Sequence, residues 1–409
     1  MKNRIKTFFS VTLSTLILVT FNLFGTANAE VGVTDTTIKV GAFFPLSGPV
    51  AFIGRPVYQG VDTYFKLIND QGGIHGRKIE YIVGDDGFKP EKSLAITKKL
   101  VEQDKIFAMA APAGTANNIA VQPYLLEHGV PVVWPVSNAA RFSGAKYRKR
   151  TYFAVQNRTD DESSMYIRYA VEGLDKKRIV AILPRGAMAE DALIGIKRGI
   201  KRQKQRGKEV ELVGEIYFDT KDTDFAPFLM KVKRLKPDVI IAYTFLRSTV
   251  LLLKGMKPMG LNVPVILTAA NNSSVTVALV GAEALEGHYF GGFMDLSDKT
   301  TKAKTYLVAA KSYYPKMASK NDQYRAGYSA GQIFVEGLMR AGKNLTRESF
   351  IKGLESMNKW NGSFLKDVTF GPERRQGSKS LYMVQFQSGK FVPIIDKNCS
   401  KPPCWITTN

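Results

Sequence analysis

Cysteine is nearly absent: two residues in 409, Cys399 and Cys404, both within NCSKPPCW near the C-terminus. Two thiols without a nearby histidine cannot complete a structural zinc site. In an oxidising compartment they suit a local disulfide, which ties down a tail and does no chemistry. Histidine is as scarce: His75, His128 and His288 lie far apart, so no HExxH or comparable pairing exists. The chain also lacks a GxSxG elbow, a P-loop and a GxGxxG after its first strand, which leaves an enzyme without support. No cofactor and no metal are called for. Acid is in deficit, with 36 Asp and Glu against 58 Lys and Arg and a net charge of +22. That balance favours anionic solutes and surfaces but names no partner. Long apolar runs are missing after the first thirty or so residues, so no later segment reads as a membrane span.

The start of the chain is different. Lys2, Arg4 and Lys6 precede a largely apolar stretch, Phe8 to Gly25, and Ala27-Asn28-Ala29 is a small-x-small site before Glu30. Residues 1–29 therefore read as a secretory signal peptide, whose removal would lower the charge from +22 to +19. The expected location is a bacterial periplasm, where nucleic acid is a poor partner. A mature chain of about 380 residues exceeds one typical core, so two domains are expected.

The chain is organised around Ala110 to Asn138, AAPAGTANNIAVQPYLLEHGVPVVWPVSN. Ile106 to Ala111 reads as a buried strand, Ala113-Gly114-Thr115 as a turn with Thr115 as N-cap, and the helix runs to about Glu127. Val130 to Trp134 follows as the next strand. Strand, helix and strand at this spacing make a βαβ unit and require a parallel sheet. Ligands of such sheets sit beyond the carboxyl ends of the strands, here Gly114-Thr115 and Ser137-Asn138. Before this unit come a strand at Ile38–Leu46, a helix at Pro56–Asn69, a strand at Lys78–Val83 and a helix from Pro90. After it the same rhythm repeats from Glu162 to Leu267, then Thr301 to Met357 is mostly helical, with strand-like pieces at Asp367–Phe370 and Leu381–Phe386. Asp85-Asp86, flanked by glycines, reads as a turn held by Asx hydrogen bonds. The basic helix bearing Lys197, Arg198, Lys201, Arg202, Lys204 and Arg206 reads as a solvated face.

The ordered set IKVGAFFPLSGPVAFIG, INDQGGIHGRKIEYIVGDD, GVPVVWPVSNAA, DTDFAPFLMKVKRLKPDVII and ALEGHYF resembles the branched-chain amino-acid type of periplasmic substrate-binding protein, the solute receptors of ABC importers. The resemblance spans about Ile38 to Phe391. It implies an α/β type I periplasmic binding fold of two interleaved Rossmann-like lobes joined by three crossovers, closing on ligand like a flytrap. Lobe one is expected at 36–155 plus 294–378, lobe two at 156–293 plus 379–396, and a C-terminal tail at 397–409. A monomer working with an inner-membrane permease is expected, with an extracellular enzyme or a ligand sensor as the competing classes.

The resemblance also implies a site: Phe52, Ile53, Ala113, Gly114, Thr115, Val136 and Asn138 from lobe one, Met188, Phe245 and Asn271 from lobe two, and Tyr324. Thr115 and Asn138 are placed to meet a ligand carboxylate. The acid that relatives use for a ligand ammonium falls at about Ala269-Ala270, where this loop has none. The expected ligand is therefore a small carboxylate with an apolar or aromatic body. A hydrophobic amino acid comes next, then an amide or urea derivative. Arg185 and Arg247 sit near strand ends of the same lobe and read as surface residues.

Overall fold

The computed structural model describes residues 30–296, 300–316, 321–394 and 404–407. The expected signal peptide lies outside them, as does Cys399.

The first sheet has the order β2-β1-β3-β4-β5 and is parallel throughout. Its strands are β1 (Thr37–Phe44), β2 (Lys78–Asp85), β3 (Ala108–Ala110), β4 (Val132–Val133) and β5 (Tyr152–Phe153). β1 reads TIKVGAFF and is buried along most of its length, as suits a strand paired on both sides and covered on both faces. Three helices return the chain between these strands: α1 (Ala51–Asp70), α2 (Pro90–Glu102) and α3 (Thr115–Glu127). α1 begins five residues before the expected Pro56, which the helix absorbs inside its second turn.

The chain then enters a second sheet through α4 (Thr159–Arg168), which runs on into a π-helical turn at Tyr169–Gly173. There follow β6 (Arg178–Pro184), α5 (Ala187–Gln205), β7 (Glu211–Phe218), α6 (Ala226–Leu235), β8 (Val239–Ala242), α7 (Leu246–Met256), β9 (Val265–Leu267), α8 (Ser274–Val280), α9 (Ala282–Leu285) and β10 (Tyr289–Gly292). Three helices return to the first lobe: α10 (Thr301–Tyr313), α11 (Asp322–Ala341) and α12 (Arg347–Glu355). Tyr306, Ile333, Phe334 and Phe350 share an apolar cluster with Val40, Val57 and Phe153. Contact between α1 and α11 is backbone to backbone. A Cβ on Gly60 would stand 2.1 Å from the Tyr324 carbonyl, and one on Gly327 would stand 2.0 Å from that of Val57.

The last crossing leads to β11 (Ser380–Gln387) and β12 (Lys390–Pro393), which complete the order β12-β11-β10-β9-β8-β6-β7. β13 (Trp405–Thr407) pairs antiparallel with β11, so the tail supplies a strand. Cys404, buried beside it, is disulfide-bonded. Asp367–Phe370 forms no strand, only a bridge between Val368 and Trp360. The outgoing and final crossings run side by side: Gly377 N–H donates to the Ala154 carbonyl at 2.8 Å and Ser378 N–H to that of Val155 at 2.9 Å. Among the described residues no helix is long and apolar enough to cross a membrane.

Candidate ligand-binding site

In the first lobe the site is built from two strand exits held in register. Ala111 and Trp134, just past β3 and β4, both turn through the left-handed region at φ 57° and 54°. The two exits then pair again, with a parallel bridge from Ala113 to Val136 and Val136 N–H donating to the Pro112 carbonyl at 3.0 Å. Gly114, at φ 104°, is the N-cap of α3, and Thr115 is the first helical residue, not the expected cap. No side chain caps α3. Its first N–H groups are therefore left for a ligand or water, and the helix dipole favours an anion there. The Thr115 hydroxyl lies 2.8 Å from that of Ser137, which also accepts the Ala139 N–H at 3.2 Å. The Asn138 carbonyl accepts both the N–H and the hydroxyl of Thr159, at 2.9 and 3.3 Å.

These groups face a cavity of about 300 Å³, at the small end for a small-molecule site. Eight of the expected residues line it: Ile53, Ala113, Gly114, Thr115, Val136, Asn138, Met188 and Phe245. Phe52 does not, because it lies on the outer face of α1 and is exposed. Asn271 is turned inward by the 3-10 turn Ala269–Asn271. There its amide joins two loops, donating to the Thr244 carbonyl at 3.0 Å and accepting the Thr249 hydroxyl at 2.8 Å, and Asn272 lines the cavity instead. Tyr324 is fully buried with its hydroxyl on Thr63, while Asp322, Gln323 and Ala326 of the same helix reach the cavity. Arg185 and Arg247 are exposed and do not line it, and Arg185 stands 3.7 Å from Asp219.

The residue that sequence reasoning missed is Glu162, in the first turn of α4. It is buried, lines the cavity, and has no Lys or Arg ion-pair partner among the described residues. Its Oε1 accepts the Tyr166 hydroxyl at 2.6 Å and the Ala269 N–H at 3.2 Å, and the Tyr243 hydroxyl lies 3.4 Å from Oε2. Burial pushes this carboxyl above its ordinary range, against the hydrogen bonds from Tyr166, Ala269 and Tyr243. The loop at Ala269-Ala270 does lack an acid, as the sequence says, but it presents its backbone to one. An acid is thus present at the cavity after all, on α4 and outside that loop. No Lys, Arg or His is among the cavity's described lining residues.

The other sequence features resolve into structure. Asp85 Oδ1 accepts the N–H groups of Leu46, Ser47 and Gly87, so it holds a turn. On the basic helix Arg198 pairs with Asp160 and Asp161, and Lys197 with Glu215. No group of three potential metal ligands occurs among the described residues.

Residues 37–390 match the family described as periplasmic binding protein. The Leu/Ile/Val-binding protein BraC3 of Rhizobium johnstonii is 25% identical over 356 residues, covering 87% of this chain and 93% of that one. Among solved structures, a branched chain amino acid ABC transporter protein from Thermus thermophilus with bound valine superposes with a TM-score of 0.77 at 16% identity, covering 89% of this chain and 97% of that one. A fatty acid ABC transporter substrate-binding protein from Thermomonospora curvata gives 0.71 at 22% identity and 93% of each chain.

Proposed function

The chain belongs to the periplasmic binding protein family, a family of binding proteins and not of enzymes, and on that premise we propose that it receives an α-amino acid with a bulky apolar or aromatic side chain. It works as a monomer in the periplasm, exported by residues 1–29, and hands the solute to an ABC importer in the inner membrane.

One observation carries the choice of ligand: the described residues lining the cavity include a buried acid, Glu162, and the uncapped end of α3, and no Lys, Arg or His. A zwitterion fits both ends. Its carboxylate meets the α3 N–H groups with Thr115 and Ser137, and its ammonium gives Glu162 the cation that burial otherwise denies it. Ile53, Val50, Met188 and Phe245 surround what remains of the solute. The name of the Rhizobium relative agrees with this class. A second reading keeps the plain carboxylate. Burial favours a protonated Glu162, which could sit beside an apolar chain, and the Thermomonospora protein is titled a fatty acid receptor.

The pH dependence of binding separates the two. An ammonium ligand needs ionised Glu162, so its affinity rises with pH through the elevated pKa of that group. A plain acid prefers the protonated form and binds more weakly over the same interval. Calorimetric titration of leucine and phenylalanine against 4-methylpentanoate and 3-phenylpropanoate, from pH 5 to 8, reads both trends. Tighter binding of the deaminated acids, strengthening toward low pH, would overturn the amino-acid reading.

A further inference from the structure

At Phe88 a cavity wall and an improbable backbone coincide. This residue, in the loop after β2, has φ 65°, a conformation that a bulky side chain keeps only when its surroundings hold it there. The holding is explicit. Phe88 N–H donates to Asp86 Oδ1 at 2.8 Å. Asp86 Oδ2 accepts the Ser93 hydroxyl at 2.7 Å and the Asn117 amide at 2.9 Å, and Asn117 also donates to Ser93 at 2.8 Å. Asp86, Ser93 and Asn117 are all fully buried. Since Asn117 belongs to the first turn of α3, the network joins the Phe88 loop to the helix end that faces the cavity. The ring itself closes on that end, because a Cβ on Gly114 would lie 2.9 Å from Phe88 Cε2.

Fixed in this way, the ring still leaves 45% of the residue exposed, and it lines the cavity beside Gly114 and Thr115. A glycine would accept the same φ and make the same backbone hydrogen bond without strain. The large apolar side chain therefore has work outside the fold.

We propose that Phe88 is the specificity-determining residue of the site, the wall against which the solute's side chain packs once its carboxylate is seated on α3. This deepens the reading under Proposed function and rests on its placement of the carboxylate. The side chains favoured are aromatic or long, since a short one would not cover the ring.

The test is titration of Phe88→Ala and Phe88→Gly with valine, leucine, phenylalanine and 3-phenylpropanoate. Phenylalanine should lose about tenfold or more in affinity in both variants, and valine less than about threefold. The loss for 3-phenylpropanoate should match that for phenylalanine, because the wall acts on the side chain and not on the ammonium. Failure of the amino-acid reading would appear as tighter binding of the deaminated acid by the unaltered protein, with the same graded loss in the variants. Phe88→Gly relieves the left-handed strain, so its melting temperature should equal or exceed that of the unaltered protein. An equal loss across all four ligands, or wild-type affinity for phenylalanine in either variant, would overturn the proposal.

Discussion

The Asp191 carboxylate on α5 accepts the backbone N–H of Ala140 at 3.0 Å, so a side chain of the second lobe holds the main chain of the first. Ala140 opens the 3-10 turn Ala140–Phe142 that follows the cavity-lining Asn138. The bond can exist only while the lobes are close. Asp191→Ala should therefore favour an open form and weaken the solute by roughly tenfold, the scale of one hydrogen bond to a charged group. Small-angle scattering with saturating phenylalanine would show a larger radius of gyration than for the unaltered protein. Unchanged compaction and affinity would mean that Asp191 does not contribute to closure.

Glu162→Gln should cost an amino-acid ligand about 2–4 kcal/mol, because it leaves the ammonium buried without its counter-charge. The same change should flatten the pH dependence of binding, since the titrating group is gone. Without ligand the sign reverses. A carboxyl raised by burial holds its proton longer in the folded state, so it draws stability down as pH climbs from the ordinary Glu range through the raised value. The glutamine variant should thus be no less stable than the parent near neutrality, as read by denaturant midpoints.

The Thr115 hydroxyl is oriented by Ser137 at 2.8 Å. Thr115→Ala should weaken a carboxylate ligand by roughly 1–3 kcal/mol, and Thr115→Ser should restore most of it. A full-strength alanine variant would leave the helix N–H groups as the whole of the anion site.

His288 should make the second lobe acid-sensitive. Burial lowers its pKa to about 4, and its Nδ1 accepts the Val265 N–H at 3.2 Å, which requires the neutral ring. The unfolded chain takes up a proton below about 6.5 that the folded one refuses, so stability is complete above that pH and falls between 6.5 and 4. The expected loss is about 2 kcal/mol, allowing for the ring's remaining contact with water. His288→Gln should remove this part of the slope in melting temperature against pH.

The βαβ unit at 110–138 was legible in the sequence because its evidence is local: apolar runs, a glycine at a positive φ, a helix between two short strands. Five expected lining residues, Ala113, Gly114, Thr115, Val136 and Asn138, fall at its turns, and Ile53, Met188 and Phe245 line the cavity from elsewhere in the chain. Glu162 was not legible, since its partner Ala269 lies 107 residues away and the sequence showed only a helix start. Phe88 was hidden for a similar reason, as its loop read correctly as an Asx turn while the ring's place against Gly114 depends on three elements meeting. Asn271 and Tyr324 missed by one or two positions, a difference set by a 3-10 turn and by the rotation of α11, which periodicity alone does not fix.

The interleaving of the two lobes also has a consequence for synthesis. When β10 has been made, the first lobe still lacks α10 to α12, and the second still lacks β11, which lies beside β10. A nascent chain at that stage carries an open strand edge in one half and an uncovered apolar face in the other, so neither half can commit to its native packing ahead of its partner. Both are completed by the final segment to leave the ribosome. Until then neither lobe has a closed core.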